Sequence, residues 1–475
     1  MRGPGTSPRP HGTLLRRGAR RTVHVVGAGS YSLRVEFDGE VPPDGEEYDE
    51  LTLTSTAGVH TLGRCRLERF PSHPRRRLNE AGPPPGQGTL LFLDQVHDFS
   101  ALLVKGQVRD AGREFQQLPL LLGRRREIRD GFRDYTARLV FDLQVYRSLF
   151  DQIDRGLAGE GPSVRDRVHA LVIAKEYGPF RALHLRANEE LEALVAGFTQ
   201  EEHEQHGYYF RKHLHDLIRA SEFLTRTNTK PRGYAGDSEM MDLIYANEFK
   251  GHSLFSKVMH RFPLELPAAQ AVRNRRVMMG RAVREALQAA RARGQTGPLR
   301  VFSMACGSAR ELGDVLELPD DVRSYHFTLL DQDPDALVQA ASTLEAVRQR
   351  TGVEVRADVV RESVRTMLRA QDLAAALGRH HFQYAMGLFD YLTPPVARAV
   401  LGQCYDLLLP GGEIVLGNFH TRNPTRVYME YWADWVLYYR DEREMLDLAS
   451  GLPGAQATVS FEDTACQMFL RVKKA

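Results

Sequence analysis

The sequence predicts a multidomain chain. An N-terminal antiparallel β barrel or sandwich is followed by a central α-helical region and a C-terminal α/β sheet of mainly parallel strands with an antiparallel terminal hairpin. Three observations predict this. Apolar residues alternate with period two from Thr22 to about Lys105, the pattern of strands with one buried face. After about Gly106 they recur three and four apart, as on the core-facing stripe of a helix. Beyond Pro298 short apolar runs alternate with helical stretches, which specifies a parallel sheet covered by helices.

The elements follow in order. Residues 1–21, rich in Arg, Gly and Pro, read as a disordered basic leader. In 22–105 the runs "TVHVV", "YSLRVEF", "DELTLTS" and "GTLLFLD" read as short strands, and "PSHPRRRLNEAGPPPGQG" (71–88) as a long loop. Residues 106–297 carry the helices, the last of them "RNRRVMMGRAVREALQAARARG" (273–294). In 298–475, "LRVFSMAC", "YHFTLLD", "VEVRADVV", "HFQYAMGL" and "GGEIVLGNF" are strands with helices between them. "ATVSFED" and "CQMFLRV" form the terminal hairpin.

Composition excludes several classes. A net charge of +2 gives no global argument for a nucleic-acid partner. Cys65, Cys306, Cys404 and Cys466 are scattered and read as small buried hydrophobes, not a disulfide framework or a zinc site. The leader has no sustained apolar core and no apolar run is long enough to span a bilayer, so a cytoplasmic location is expected. "EEHEQHGYYFRKHLH" gathers His203, His206, His213 and His215, but no third ligand accompanies the two that share a helix face, and no metal site is expected.

The chemistry concentrates where "VFSMACGSARELGDVL" turns from strand to helix at Ala305, Cys306, Gly307 and Ser308. Such a turn lies outside the carboxyl end of a sheet strand, where α/β sheets bind ligands. Asp331 ends the next strand about 24 residues later, where an acidic side chain grips ribose hydroxyls. The alternative is that Asp331 and Asp333 are polar loop residues ahead of Pro334. A dinucleotide pyrophosphate needs several unencumbered backbone positions, whereas S-adenosyl-L-methionine carries no phosphate. One glycine plus an acidic strand end therefore favours the methyl donor over NAD. The terminal hairpin agrees with this.

Residues from about 220 to 475 resemble a bacterial family of class I, Rossmann-like S-adenosylmethionine-dependent methyltransferases. The matching strings are "TKPRGYAGDSEMMDLIY" (229–245), "QAVRNRRVMM" (270–279), "ACGSARE" (305–311), "LLDQDP" (329–334), "MGLFDYLTP" (386–394) and "LLPGGEIVLGNFHTRNPTRVYMEYWADWVLYYR" (408–440). Members are described as resembling enzymes that make methyl esters of 3-hydroxy fatty acids. The resemblance implies a small, fatty or hydroxy-acyl acceptor. Many methyltransferases carry an acidic residue before the glycine turn; here Ser303 and Ala305 stand there, which leaves Glu311 or the "GYAGD" segment to hold the amino-acid end of the donor.

By the same resemblance "RGYAGD" (232–237) is a lid over the donor, with Tyr234 facing the sulfonium and Asp237 among the donor contacts. Arg273, Arg275 and Arg276 either pair with the donor carboxylate or form a solvated helix face. After the fourth strand, Gly387 allows close approach, and Asp390 and Tyr391 are polar candidates. After the fifth come Asn418, His420 and Asn423. Asp390 or His420 would take the proton of a hydroxyl or amine acceptor, and Tyr391, Asn418 and Asn423 would contact the acceptor. Tyr428, Tyr431, Trp432, Trp435, Tyr438 and Tyr439 line an apolar acceptor pocket or, more commonly for such spacing, pack a helix into the core.

The β domain has the size of a PilZ-like barrel, a family that binds cyclic di-GMP through RxxxR and a later (D/N)xSxxG. "RRGARR" (16–21) supplies the arginine spacing, and "GAGSYSL" (27–33) lacks the second motif. A degenerate docking or regulatory domain is expected, receiving a regulatory ligand or a protein partner. Two rivals stand beside the methyltransferase reading. One is a non-catalytic signalling or interaction protein; the other is a nicotinamide-dependent oxidoreductase, which the absent GxGxxG disfavours.

Overall fold

The computed structural model describes residues 11–28, 32–43, 45–55, 58–68, 86–92, 127–369 and 372–475. They fall into two compact units, Met1–Glu127 and Ile128–Ala475.

In the first unit the strands are β1 (His11–Arg16), β2 (Ala19–Ala28), β3 (Ser32–Phe37), β4 (Glu47–Tyr48), β5 (Glu50–Ser55), β6 (Gly58–Thr61), β7 (Cys65–Glu68) and β8 (Gln87–Phe92). They pair in the order β4-β7-β8-β3-β2-β1-β5-β6, and every ladder is antiparallel. Only Asp49 separates β4, at one end of this order, from β5 near the other, so the sheet closes into a barrel. Leu14, Val23, Leu33, Val35, Phe37, Leu51, Leu67 and Leu90 fill it. In β1, β3, β5 and β7 buried residues alternate with more exposed ones, as the period-two pattern requires.

The expected disordered leader is corrected from His11 onward; residues 1–10 lie outside the described residues. Residues 11–16 are β1, paired on both sides, and Leu14 is fully buried. Arg17 and Gly18 both adopt positive φ (46° and 85°), the two-residue turn whose twist suits a hairpin. The arginines of "RRGARR" therefore sit on the β1–β2 hairpin, where Arg16 pairs with Glu46 at 3.0 Å. The expected boundary at 105/106, and most of the proline-rich loop, lie outside the described residues.

The second unit opens with helices Asp130–Gly156, Pro162–Val195, Gln200–His213, Glu222–Thr229, Ser238–Ala246, Leu254–Leu264 and Pro267–Ala292. Its strands are β9 (Leu299–Met304), β10 (Tyr325–Asp331), β11 (Ala357–Arg361), β12 (His380–Ala385), β13 (Leu408–Phe419), β14 (Ala455–Phe461) and β15 (Gln467–Lys474). They pair in the order β11-β10-β9-β12-β13-β15-β14. The ladders among β9 to β13 are parallel and the two involving β15 are antiparallel. The last strand thus inserts between β13 and β14, leaving β14 as the edge. β9, β10 and β12 are buried almost throughout, which is why they read as unbroken apolar runs.

The chain leaves β9 toward β10 on one side and returns as β12 on the other. The switch point of the sheet therefore lies between β9 and β12. Their ladder ends at Tyr384↔Ser303, so the two strands part at their carboxyl ends. The helical region does not form a separate body, as a boundary at 297/298 would suggest. Phe132, Phe210, Phe262, Met240 and Val272 share one core with Phe419, Tyr428, Tyr431 and Trp432 from beyond β13.

Candidate functional site

The turn after β9 is tightly wound. Ala305, Gly307 and Ala309 all have positive φ (49°, 56° and 49°). Alanine in this region is strained, and such strain clusters at ligand clamps. The Cys306 amide donates to Leu330 O at 3.1 Å, which fixes the turn against β10. The Cys306 thiol is buried, and desolvation pushes its pKa well up, so it packs rather than reacts. The helix that follows is short, Arg310–Val315, not the longer one the sequence suggests.

Asp331 closes β10 and is 5% exposed. Its Oδ2 accepts the Gly307 amide at 2.9 Å and its Oδ1 the Asp333 amide at 3.0 Å. Burial raises its pKa, while the amides of Asp333 and Gly307 oppose the shift. The glycine turn and the acidic strand end thus meet in the register the spacing predicts. Asp333 plays a different part. Its Oδ1 caps the next helix at Asp335 N, and its Oδ2 accepts from Arg232 at 2.8 Å.

"RGYAGD" links helices Glu222–Thr229 and Ser238–Ala246 and lies over this edge. Asp242 accepts from Ser308 Oγ at 3.0 Å and from Arg310 in a bidentate pair, so the second of these helices is clamped onto the turn. Ser308, expected to face the cofactor, is corrected: its side chain is part of this clamp. Tyr234 lies close enough to feel Asp331 and Asp333, and burial together with those charges raises its pKa. Its ring meets that of Tyr391 at 6.2 Å, edge to face. Trp435 Nε1 donates to Tyr391 Oη at 2.9 Å. A Cβ on Gly236 would fall 2.5 Å from that hydroxyl and 2.6 Å from Trp435 Cζ2, so only glycine lets the loop settle there.

Asp237 is corrected. Its carboxylate takes Arg226 (Nε at 2.9 and 3.0 Å) and caps Met240 N at 2.9 Å, which holds the loop in place rather than offering a ligand contact. Glu311 is also corrected. It is buried and accepts from Tyr384 Oη at 2.6 Å, inside the β12–helix interface. Burial raises its pKa, partly offset by that hydrogen bond.

After β12, Gly387 and the 3₁₀ turn Phe389–Tyr391 bring Asp390 to the same edge. Asp390 is 2% exposed, and its Oδ1 accepts the Phe419 amide at 2.6 Å. Burial pushes its pKa up to about 6, against the Phe419 amide and the charges of Arg275 and Arg440. The residues expected after β13 turn out to be structural. His420 Nδ1 accepts the Arg422 amide at 3.0 Å, which leaves Nε2–H to donate to Glu442 at 3.0 Å, so neither nitrogen is available as a base. Asn418 donates to Phe419 O and Tyr438 O (2.8 and 2.9 Å) and accepts from Arg440. Asn423 accepts Thr425 N at 3.0 Å and donates to Met429 Sδ at 3.5 Å. Together these contacts tie the loop after β13.

The three arginines of one helix separate by partner. Arg273 donates to Ile244 O and Leu264 O, and Arg276 forms a bidentate pair with Asp314. Arg275 alone reaches the loop after β12, donating to Met386 O at 3.1 Å. Of the aromatic run, Tyr428, Tyr431, Trp432 and Trp435 belong to the helical core, and Trp435 also contacts Tyr391 beside the 232–237 loop. Asp242 and Arg232 could have been found as members of the family-like strings, but Arg226 carries no signal that sets it apart from surface arginines.

His206 is tied at both ring nitrogens, to Glu202 O (2.7 Å) and the Arg129 amide (3.1 Å). His213 bonds back to Tyr209 O at 2.9 Å. An open cleft of about 640 Å³ lies among His169, Ile173, Tyr177, Phe249 and Lys257 of the helical region and shares no residue with the strand-end site. Volume alone does not make it the reactive centre, because the strained turn, the lid and the buried ionisable groups all gather at the sheet edge.

No known protein family matches the chain, and no curated protein matches it. Solved structures do resemble it in part. A possible exported protein from Bordetella parapertussis is 16% identical with a TM-score of 0.42, covering 66% of this chain and 99% of its own. Magnesium protoporphyrin IX methyltransferase (ChlM) from Synechocystis PCC 6803, with S-adenosylmethionine bound, is 11% identical with a TM-score of 0.30, covering 43% and 84%. The N-methyltransferase NodS from Bradyrhizobium japonicum WM9, in complex with S-adenosyl-L-homocysteine, is 12% identical with a TM-score of 0.29, covering 43% and 87%. Among the described residues no helix is long and apolar enough to cross a membrane.

Proposed function

We propose that the chain transfers a methyl group from S-adenosylmethionine to a small acceptor. The observation that carries this reading is the contact between Gly307 and Asp331 at the carboxyl ends of β9 and β10, beside the switch point of the sheet and beneath the Tyr234 lid. Each carboxylate oxygen has two lone pairs. Asp331 holds the Gly307 and Asp333 amides, one on each oxygen, with the Gln332 amide also near it, and each oxygen would accept one of two neighbouring ribose hydroxyls. Ala305 and Gly307 shape the backbone against which the nucleoside would rest. When bound, the donor supplies a methyl group activated on a sulfonium.

Around it, the chain's own residues orient and exclude water. Tyr234 offers an aromatic face to positive charge. Tyr391, Trp435 and Gly236 lock the lid loop. Asp390, with its pKa near neutrality, is the group suited to take the proton of a hydroxyl or amine acceptor. With a carboxylate acceptor no base is needed, and alignment in a dry pocket does the work. The β barrel acts as a docking or regulatory module.

One observation favours a second reading, a donor-binding protein without turnover. The acidic position before the turn is absent, and Glu311, its nearest substitute, is engaged by Tyr384. Tight donor binding with no S-adenosylhomocysteine formed in a small-molecule extract would mark that case.

Thermal melts test the primary reading. S-adenosylmethionine and S-adenosylhomocysteine should stabilise the protein, by ~2.7 kcal/mol at 100 times the dissociation constant, while NAD and NADP should not. Stabilisation by NAD alone overturns it.

A further inference from the structure

Arg275 is 6% exposed and, among the described residues, makes no ion pair. Its Nη1 donates to Met386 O at 3.1 Å and its Nη2 to Met241 Sδ at 3.1 Å, while its buried Nε has no partner. A thioether is a weak acceptor, and a buried guanidinium without a counter-charge is costly. Its neighbours on the same helix show the ordinary solutions: carbonyl oxygens for Arg273, a carboxylate for Arg276. A fold selected for stability alone has no use for such a group.

Its position says what would satisfy it. Met386 and Gly387 follow β12 at the carboxyl edge of the sheet, where the Met386 carbonyl also accepts from Gln467 Nε2 of β15 at 3.0 Å. A Cβ on Gly387 would come within 3.3 Å of Arg275 Nη2, so the missing side chain keeps that face of the fork clear. Asp390 feels the charge of Arg275 without pairing to it. A planar guanidinium with an unpartnered nitrogen at this edge complements a carboxylate.

We infer that Arg275 receives a carboxylate, and that its source is the amino-acid end of the methyl donor. This rests on the donor reading above and deepens it. The planar fork matches a carboxylate with two parallel hydrogen bonds, which a lysine cannot reproduce.

Calorimetric titration with two probes tests it. S-adenosylhomocysteine carries the amino-acid end, and 5′-methylthioadenosine lacks it. In Arg275→Met the affinity for S-adenosylhomocysteine should fall by ~10- to 100-fold while that for 5′-methylthioadenosine is unchanged, which also reports an intact fold. Arg275→Lys should fall between the two. Equal loss for both probes, or no loss for either, overturns the inference and leaves the donor reading standing. Failure of the unmodified protein to bind either probe overturns both. If Arg275→Met keeps its discrimination but its complex with S-adenosylhomocysteine no longer binds octanoate as the unmodified complex does, the carboxylate belongs to the acceptor. The donor assignment is then overturned.

Discussion

The barrel and the carboxyl edge of the α/β sheet bury opposite kinds of side chain. Among the described residues of the barrel, the interior is Leu, Val, Phe, Tyr and Cys, with Thr89 the buried polar exception. Its charged groups pair at the surface, as Glu47 does with Arg64 and Arg66. The sheet edge instead buries Asp331, Asp390, Glu311, Arg275 and Arg440. Desolvating a charge costs several kcal/mol unless partners compensate, and replacing such groups with apolar ones often stabilises a fold. The barrel is therefore built for closure, and the edge retains groups that stability alone would discard. That contrast locates function more firmly than the size of any cavity.

The sharpest way to break the contrast is Asp331→Ala. If Asp331 serves only the ligand, the free protein should not notice its loss. It also holds two backbone amides, however, so unfolding in urea should show a loss of about 2–4 kcal/mol without ligand, since each orphaned buried donor costs ~1–3. Donor affinity should fall in the order wild type, Asp331→Asn, Asp331→Ala. Asp333→Ala, which removes a helix cap and the Arg232 contact, should affect donor affinity less. The reverse order would move the ribose site two residues along.

Asp390 offers a test through pH. Burial raises its pKa to about 6, so the folded protein keeps that proton at pH values where the unfolded chain has lost it. Stability from this residue is therefore present at low pH and lost as pH rises from about 4 to 6. Asp390→Asn, neutral at every pH, should match the wild type near pH 4 and exceed it by up to about 3 kcal/mol near pH 7. Melting curves of the two proteins across that range should diverge; parallel curves would show that Asp390 is ionised and paired in the fold.

The smallest effect is expected from the barrel itself. Every group assigned to the site lies in Ile128–Ala475. Removing Met1–Glu127 should leave donor affinity within about twofold, well under the 1.4 kcal/mol that separates tenfold steps. Loss of binding in a truncated chain with intact circular dichroism would make the barrel part of the site.

Much of this is legible in the sequence, and the reason is local. The strand–turn–helix at Ala305–Ala309, the spacing from Gly307 to Asp331, the lid string and the βα alternation depend on near neighbours along the chain. β1 escapes a reading of the sequence because arginine and glycine in 16–21 outweigh a period-two signal only a few residues long, and a two-residue turn hides its partner strand. The roles of Asp237, Glu311, Ser308, Asn418, His420 and Asn423 differ from expectation for another reason. A polar residue beside a strand end can serve the ligand or the scaffold, and the choice is made by whichever partners the fold brings within hydrogen-bonding distance. Arg273, Arg275 and Arg276 show the limit most plainly. They share one helix and nearly one sequence context, but each step along a helix turns the side chain by about 100°. One arginine therefore meets carbonyl oxygens, one a carboxylate, and one the carbonyl and glycine that follow β12. Sequence determined that three cations would stand on that helix; tertiary packing decided which of them would keep a buried guanidinium nitrogen without a partner.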